Sequence, residues 1–164
     1  MFSRNILIVS ALFGIAQSLF YATQLPAKVA IHYGATGLPD SWASNTVNLA
    51  MNIAIPVFLV VLFLIIPVIL KVIPASLVNL PNRKYWLSAE RKEATIEHMS
   101  QQLNIFGVVI MFLLIALEHL TYKANMTSPV RLNEKAAWVI FISFMVFTIA
   151  WLFKFYKRYR LPRN

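Results

Sequence analysis

The sequence predicts an all-α integral membrane protein with four transmembrane helices, both termini cytoplasmic, one external Gly/Pro-rich loop and one cytoplasmic helix. Three observations predict it. Of the 164 residues, 59% are hydrophobic and 13% charged, and a mean hydropathy of +0.67 leaves too little charge to clothe a soluble domain of this length. Four stretches reach the roughly 20 mostly apolar residues that a helix needs to cross the hydrocarbon core. The Lys and Arg residues fall unevenly on the segments that join those stretches, as they do on the two sides of a membrane protein. Residues 1–164 read as a single membrane domain, since no connecting segment is long enough to bury a core of its own.

The first span covers about residues 6–25 (ILIVSALFGIAQSLFYATQL). Arg4 ahead of an apolar run also fits a signal peptide, but the run is long for one and no small-x-small cleavage site follows. Cleavage would leave three spans in the same orientation. The second span, about 47–73, contains Pro56 and Pro67, about three turns apart and therefore near one helix face. Each removes a backbone hydrogen bond, which predicts a bent and tilted helix. The third and fourth spans cover about 103–122 and 136–155. Between the second and third lies NLPNRKYWLSAERKEATIEHMSQQ, where Pro74 and Pro81 stop the helix and Tyr85 and Trp86 suit an interfacial belt. Ser88 reads as an N-cap, with Glu90 in the first turn. Ile96, Met99, Leu103, Phe106 and Ile110 then recur at spacings of three and four, which predicts one long helix leaving the membrane on the cytoplasmic side.

With the N-terminus cytoplasmic, the inner side holds Arg4, Lys71, Arg83, Lys84, Arg91, Lys92, Lys154, Lys157, Arg158, Arg160 and Arg163. The outer side holds only Lys28, Lys123, Arg131 and Lys135. The net charge of +9 is accounted for by this asymmetry. It points to a bilayer with anionic headgroups as partner, contacted above all by the tail KFYKRYRLPR, and not to nucleic acid. The absence of Cys removes disulfides, thiolate nucleophiles and Cys-based metal sites.

The external loop, PAKVAIHYGATGLPDSW, is far richer than a passive connection requires. Pro26 and Pro39 stiffen it, Gly34 and Gly37 supply unusual backbone angles, and Tyr33 and Trp42 can anchor it at headgroup level. His32 and Asp40 then contact something external, or form turn hydrogen bonds. Polar residues inside spans are costly and face the bundle interior. Gln17, Asn48, Asn52, Glu118 and His119 all fall on the outer half, which predicts an outward-opening polar vestibule; ordinary interhelical hydrogen bonds are the alternative. Only Asn104 lies at the inner end. His32, Asp40, Glu118 and His119 are Zn²⁺ ligand types. Adjacent helical residues diverge by about 100°, however, and no ligand motif such as HExxH is present, so no metal is expected. The sequon Asn125-Met126-Thr127 hugs the membrane and reads as accidental. His98 reads as a solvated residue.

The run LPAKVAIHYGATGLPDSW resembles the signature of the bacterial domain-of-unknown-function family 1648: Leu-Pro, then His and an aromatic, then Gly-x-x-Gly-x-Pro-Asp with an aromatic after it. Leu25, Pro26, His32, Tyr33, Gly34, Gly37, Pro39, Asp40 and Trp42 match, and the similar region covers about residues 10–60. NLPNRKYWLSAERKE looks like a form found in one branch of the family. The resemblance implies a polytopic protein of the bacterial inner membrane with no settled biochemistry. The best-known relatives, distantly related here, are the SdpI immunity proteins. They protect a toxin-producing cell and, with toxin bound, hold a transcriptional repressor at the membrane. Their C-terminal module, with its own Gly- and Trp-containing signature, has no counterpart here, so repressor capture is not expected.

These readings converge on a non-enzymatic membrane protein that recognises an external peptide, protein or small ligand, immunity- or sensor-like, with no cofactor. The expected binding residues are His32, Tyr33, Asp40, Trp42, Glu118, His119, Asn48 and Asn52, with Pro26, Gly34, Gly37 and Pro39 shaping the loop. The cytoplasmic helix around Ser88–Gln102 would report binding inward. The alternative is a transporter or channel subunit, which would need to oligomerise or join a partner and for which the inner half offers only Asn104. A metal-dependent membrane enzyme is a third reading, opposed by the lack of any catalytic arrangement.

Overall fold

The computed structural model describes residues 2–161; Arg163, counted above, lies outside them. The four expected spans are present as α1 (Phe2–Ala22), α2 (Asn45–Val72), α4 (Lys92–Asn125) and α5 (Glu134–Arg158), each long and apolar enough to cross a membrane. α2 starts at Ser44, whose hydroxyl accepts from the Val47 N–H at 3.2 Å, a side-chain cap on one of the free donors of the first turn. It stays helical through both prolines and ends at Val72, two residues before Pro74.

The connection between α1 and α2 differs from the expected irregular loop. It is a two-stranded antiparallel hairpin, β1 (Lys28–Tyr33) and β2 (Pro39–Ser44). Val29 and Ala30 are fully buried, so β1 is held from below by the bundle as well as by its partner. The register runs from Lys28 opposite Ser44 to Tyr33 opposite Pro39, with irregularities between Ala30 and Tyr33. Ile31 is the extra residue on β1 and Asp40 the extra residue on β2.

α4 is the long helix that the apolar stripe predicts. Its 34 residues span about 51 Å at 1.5 Å per residue, against about 30 Å of hydrocarbon, so roughly residues 92–102 stand clear of the apolar span. Ser88 is not its cap: the helix begins at Lys92. The Ser88 hydroxyl instead donates to Glu90 Oε2 at 2.7 Å, while its carbonyl accepts from the N–H groups of Arg91 and Lys92. The first turn is fixed otherwise, by Thr95 Oγ1 donating to the Trp86 carbonyl at 2.8 Å.

α1, α2 and α4 pack on one another, and α5 lies against α4. Hydrocarbon gives helices little hydrophobic reason to associate, so close backbone approach matters. Gly14 provides it on α1, where an added Cβ would sit 3.1 Å from Ile115 Cγ1. Gly107 provides it on α4, where a Cβ would sit 2.8 Å from the Phe63 ring. Around these contacts Leu7, Ala11, Phe63, Met111 and Ile115 form the central core. α5 buries no residue and is attached through Phe106, whose ring lies 4.8 Å from Trp151 and 6.1 Å from Phe144.

A second, smaller core sits at the end of the molecule where both described chain ends lie. A 3₁₀ turn (Ala75–Leu77) and the short helix α3 (Arg83–Trp86) gather Val78, Leu80, Met99 and Tyr159. The tail is therefore more than a lipid-facing stop. Tyr159 is 1% exposed, and its carbonyl accepts from Asn82 Nδ2 and from Trp86 Nε1, both at 2.9 Å. Its hydroxyl is hydrogen-bonded to His98 Nδ1 at 2.7 Å. His98 is thus half-buried and engaged, and the expectation of a solvated residue is corrected. Burial, with Arg158 nearby as the lesser cause, holds the imidazole below its ordinary range.

Candidate functional site

The hairpin end contains every residue expected to bind a ligand, and the structure sorts them into separate groups. On the hairpin, His32 Nδ1 and Asp40 Oδ1 are 2.5 Å apart, with side chains 70% and 51% exposed. The bulge that makes Asp40 the extra residue of β2 is what turns its carboxylate towards His32. Trp42 is partly exposed on the same strand, with Lys28 Nζ 5.9 Å from its ring centroid, within cation–π range. Leu38, beside the turn, is also exposed.

The turn is closed by Gly37 N–H donating to the Gly34 carbonyl and Gly34 N–H donating to the Leu38 carbonyl, both at 2.9 Å. Gly37 has φ +75°, and an added Cβ would lie 2.5 Å from the Leu132 carbonyl oxygen. Both conditions require glycine. Gly34 meets neither: a Cβ there finds only ordinary contacts, at 3.7 Å from Asp40 Oδ2 and 3.8 Å from the Leu38 oxygen. The expected need for unusual angles at both glycines is thus corrected to Gly37 alone. The turn also docks on the segment before α5, through Leu132 N–H to the Gly37 carbonyl and Arg131 to the Thr36 carbonyl.

Beneath the hairpin, most of the polar residues of the spans are hydrogen-bonded, to one another or to backbone carbonyls. Asn52 Nδ2 donates to Tyr122 Oη at 2.8 Å and approaches Asn48 Oδ1 at 3.3 Å. Tyr122 Oη donates to Ser18 Oγ at 3.0 Å, which donates to the Gly14 carbonyl at 2.9 Å. Tyr21 stacks on Tyr122, centroids 4.8 Å apart, and its hydroxyl is 3.3 Å from His119 Nδ1. Gln17 Nε2 donates to the Ile115 carbonyl at 3.1 Å. Glu118 keeps one carboxylate oxygen buried without a partner. The adjacent Glu118 and His119 diverge, as their places on one helix require. No group of three or more His, Asp or Glu that could hold a metal occurs among the described residues. His32 and Asp40 thus pair with each other on the exposed hairpin, while His119 meets Tyr21 below, among the interhelical hydrogen bonds that the sequence offered as the alternative to a vestibule.

Two residues that sequence reasoning passed over hold this end together. Tyr122 links α1, α2 and α4, but in an apolar run it looks like any interfacial aromatic. Asn125, at the end of α4 and 6% exposed, clamps the hairpin. Its Oδ1 accepts from the Ala30 N–H at 2.7 Å. Its Nδ2 has the Ala30 carbonyl at 2.8 Å, the Thr121 carbonyl at 3.0 Å and Tyr33 Oη at 3.1 Å as acceptors. The amide thus stands in for a neighbouring strand at Ala30. The nitrogen that a sequon would offer for glycosylation is consumed here. Burial pushes the Tyr33 hydroxyl up to about 12, so it stays protonated in this contact.

The family model described as a domain of unknown function, DUF1648, matches residues 7–56. That stretch is similar to the family; the match covers under a third of the chain. The matched segment spans most of α1, the hairpin and α2 as far as its buried Pro56. It includes His32, Tyr33, Asp40, Trp42, Asn48 and Asn52, while Glu118, His119, Tyr122 and Asn125 lie beyond it. No curated protein and no solved structure matches the chain.

Proposed function

We propose that this multi-pass membrane protein is non-enzymatic and recognises an external peptide or protein through the hairpin of its DUF1648-like segment. One observation carries the reading: the hairpin is clamped to the bundle by Asn125 and Tyr33, yet keeps His32, Asp40, Leu38 and Trp42 turned outward. A rigid platform carrying a polar pair beside apolar side chains suits a partner that lies across it, since little ordering entropy is lost on binding. The hydrogen-bonded state of the helices beneath favours such a partner over a small molecule held in a pocket. The membrane is the bacterial inner membrane in this reading, with the termini end cytoplasmic and its basic residues against anionic headgroups. The resemblance to SdpI immunity proteins favours a toxin-like peptide as the partner. α4, continuous from Asn125 to the inner lobe, would carry the bound state inward, as a single chain or within an oligomer.

The test is in-cell crosslinking from a photoreactive residue at Leu38, which is exposed and makes no side-chain hydrogen bond. A single protein or peptide species captured by wild type, and lost in the His32→Ala/Asp40→Ala double variant, supports recognition. Capture of lipid alone refutes it. The transporter-subunit reading gains one observation, a polar cleft at the termini end between α1, α2 and α4, which corrects the expectation that Asn104 stands alone there. Solute flux in proteoliposomes of the purified protein would favour that reading.

A further inference from the structure

At the end opposite the hairpin, α1, α2 and α4 leave a cleft of about 660 Å³, within the size range of ligand sites. Its lining changes with depth. α4 contributes Glu93, Glu97 and Asn104, at separations that keep them near one helix face. α1 contributes Arg4 and, one turn deeper, Ile8. α2 contributes Lys71 and, deeper, Val68 and Leu64. The mouth thus carries two cations and two carboxylates; further in, α1 and α2 present the apolar Ile8, Leu64, Pro67 and Val68, while α4 stays polar through Ser100, Gln101 and Asn104.

Two features mark this lining as unsatisfied. Among the described residues neither Arg4 nor Lys71 forms a salt bridge with Glu93 or Glu97; the ion pairs lie elsewhere. Opposite charges share one cleft without neutralising one another. Asn104 is 8% exposed and its Oδ1 is buried without a partner, a rare condition for a polar atom in a native structure.

We propose that this cleft binds a phospholipid whose headgroup carries both a phosphate and a primary ammonium. Arg4 and Lys71 take the phosphate, and Glu93 and Glu97 accept hydrogen bonds from the ammonium. Asn104 meets the glycerol-ester region, and the acyl chains run over Ile8, Leu64 and Val68. The apolar walls from α1 and α2 are what select a lipid over the free headgroup. The pairing of both charge signs selects a zwitterion over an anionic lipid. A quaternary ammonium has no N–H to give the carboxylates, so phosphatidylethanolamine fits better than phosphatidylcholine. The site lies at the other end of the bundle from the hairpin, and its failure would leave the recognition reading untouched.

The experiment reconstitutes the full chain in nanodiscs of equal parts phosphatidylethanolamine, phosphatidylcholine and phosphatidylglycerol, then counts retained lipids by native mass spectrometry. Phosphatidylethanolamine should be enriched over each of the others by about 1.5-fold to fivefold, the range for a partly exposed charge pair. The E93Q/E97Q variant, changed at two exposed positions and therefore still folded, should bring its ratio to phosphatidylcholine to one. Equal retention of all three lipids, preference for phosphatidylglycerol, or an unchanged preference in E93Q/E97Q would overturn the proposal. So would displacement of the retained lipid by glycerophosphoethanolamine, since the chains would then contribute nothing.

Discussion

Replacing Asn125 by alanine should free the hairpin while leaving the bundle intact. Ala30 is fully buried, and both its N–H and its carbonyl are satisfied by the Asn125 amide. Truncation orphans both groups, at about 1–3 kcal/mol each. If β1 stayed docked, the cost would be the sum of the two. Lifting the strand so that water reaches Ala30 is cheaper and limits the loss to about 2–3 kcal/mol. At 1.36 kcal/mol per tenfold, amides of residues 28–33 should then exchange about 30- to 150-fold faster. Hydrogen exchange in detergent, read by mass spectrometry, measures this, with α2 peptides as the internal standard. Asn125→Asp sharpens the comparison. It keeps an acceptor for the Ala30 N–H but sets a carboxylate against the carbonyls of Ala30 and Thr121, so it should open the hairpin at least as far as alanine does. Hairpin exchange unchanged within about twofold in Asn125→Ala would refute the clamp, because two orphaned groups cannot cost so little.

Three further outcomes follow from single contacts. Gly37→Ala should lower the melting temperature by the equivalent of about 1–3 kcal/mol, the cost of a strained left-handed residue, while Gly34→Ala should melt close to wild type. Gly107→Ala places a methyl 2.8 Å from the Phe63 ring and should destabilise by about 1–3 kcal/mol; adding Phe63→Leu should recover part of that loss, a coupling that a double-mutant cycle reads directly. His98, kept below its ordinary range by burial first and Arg158 second, favours the neutral ring in the folded state. Its contribution should therefore be complete above the unfolded-state value of about 6.5 and be lost as pH falls through the lower folded value. The melting temperature of His98→Gln should show a flatter fall over that acid window than wild type does.

What was legible in the sequence is what depends on neighbours along the chain. Apolar runs of span length mark the four helices, and the stripe from Ile96 to Ile110 marks α4 as continuous across the membrane boundary. The hairpin was hidden because KVAIHY and PDSWAS are only six residues each and the second begins with proline. What makes them strands is their pairing with each other, with β1 held further at Ala30 by Asn125, 95 residues away. Ser88 carried the local signature of a cap, but its hydroxyl is taken by Glu90, two residues on. The cleft was illegible for a related reason. Nothing along the chain singles out Glu93 and Glu97, and only the approach of Arg4 and Lys71 from two other helices turns their face into a wall. His98 and Tyr159, 61 residues apart, show the same limit.

The arrangement of the middle of the molecule bears on whether the two polar ends can be one pathway. Between the hydrogen-bonded plug under the hairpin and the cleft at the termini end lies a band of Leu7, Ala11, Phe63, Met111 and Ile115, of which Leu7 and Met111 are fully buried. The side chains of these five residues offer no hydrogen bond to a solute or water, the buried Ser10 hydroxyl beside them is already given to the Leu7 carbonyl, and each stripped polar group would cost several kcal/mol to pass through. Opening it means separating helices where Gly14 and Gly107 allow their closest approach, which forfeits the packing that holds them together in lipid. α4 offers no proline at which to bend, so it moves as a rod, whereas α2 carries Pro56 beside this band and Pro67 in the wall of the cleft. A displacement of the hairpin can therefore reach the small core at the termini end as a tilt of α4 against α2, with the dry band still closed. The same geometry that obstructs transport is the one that a recognition device needs.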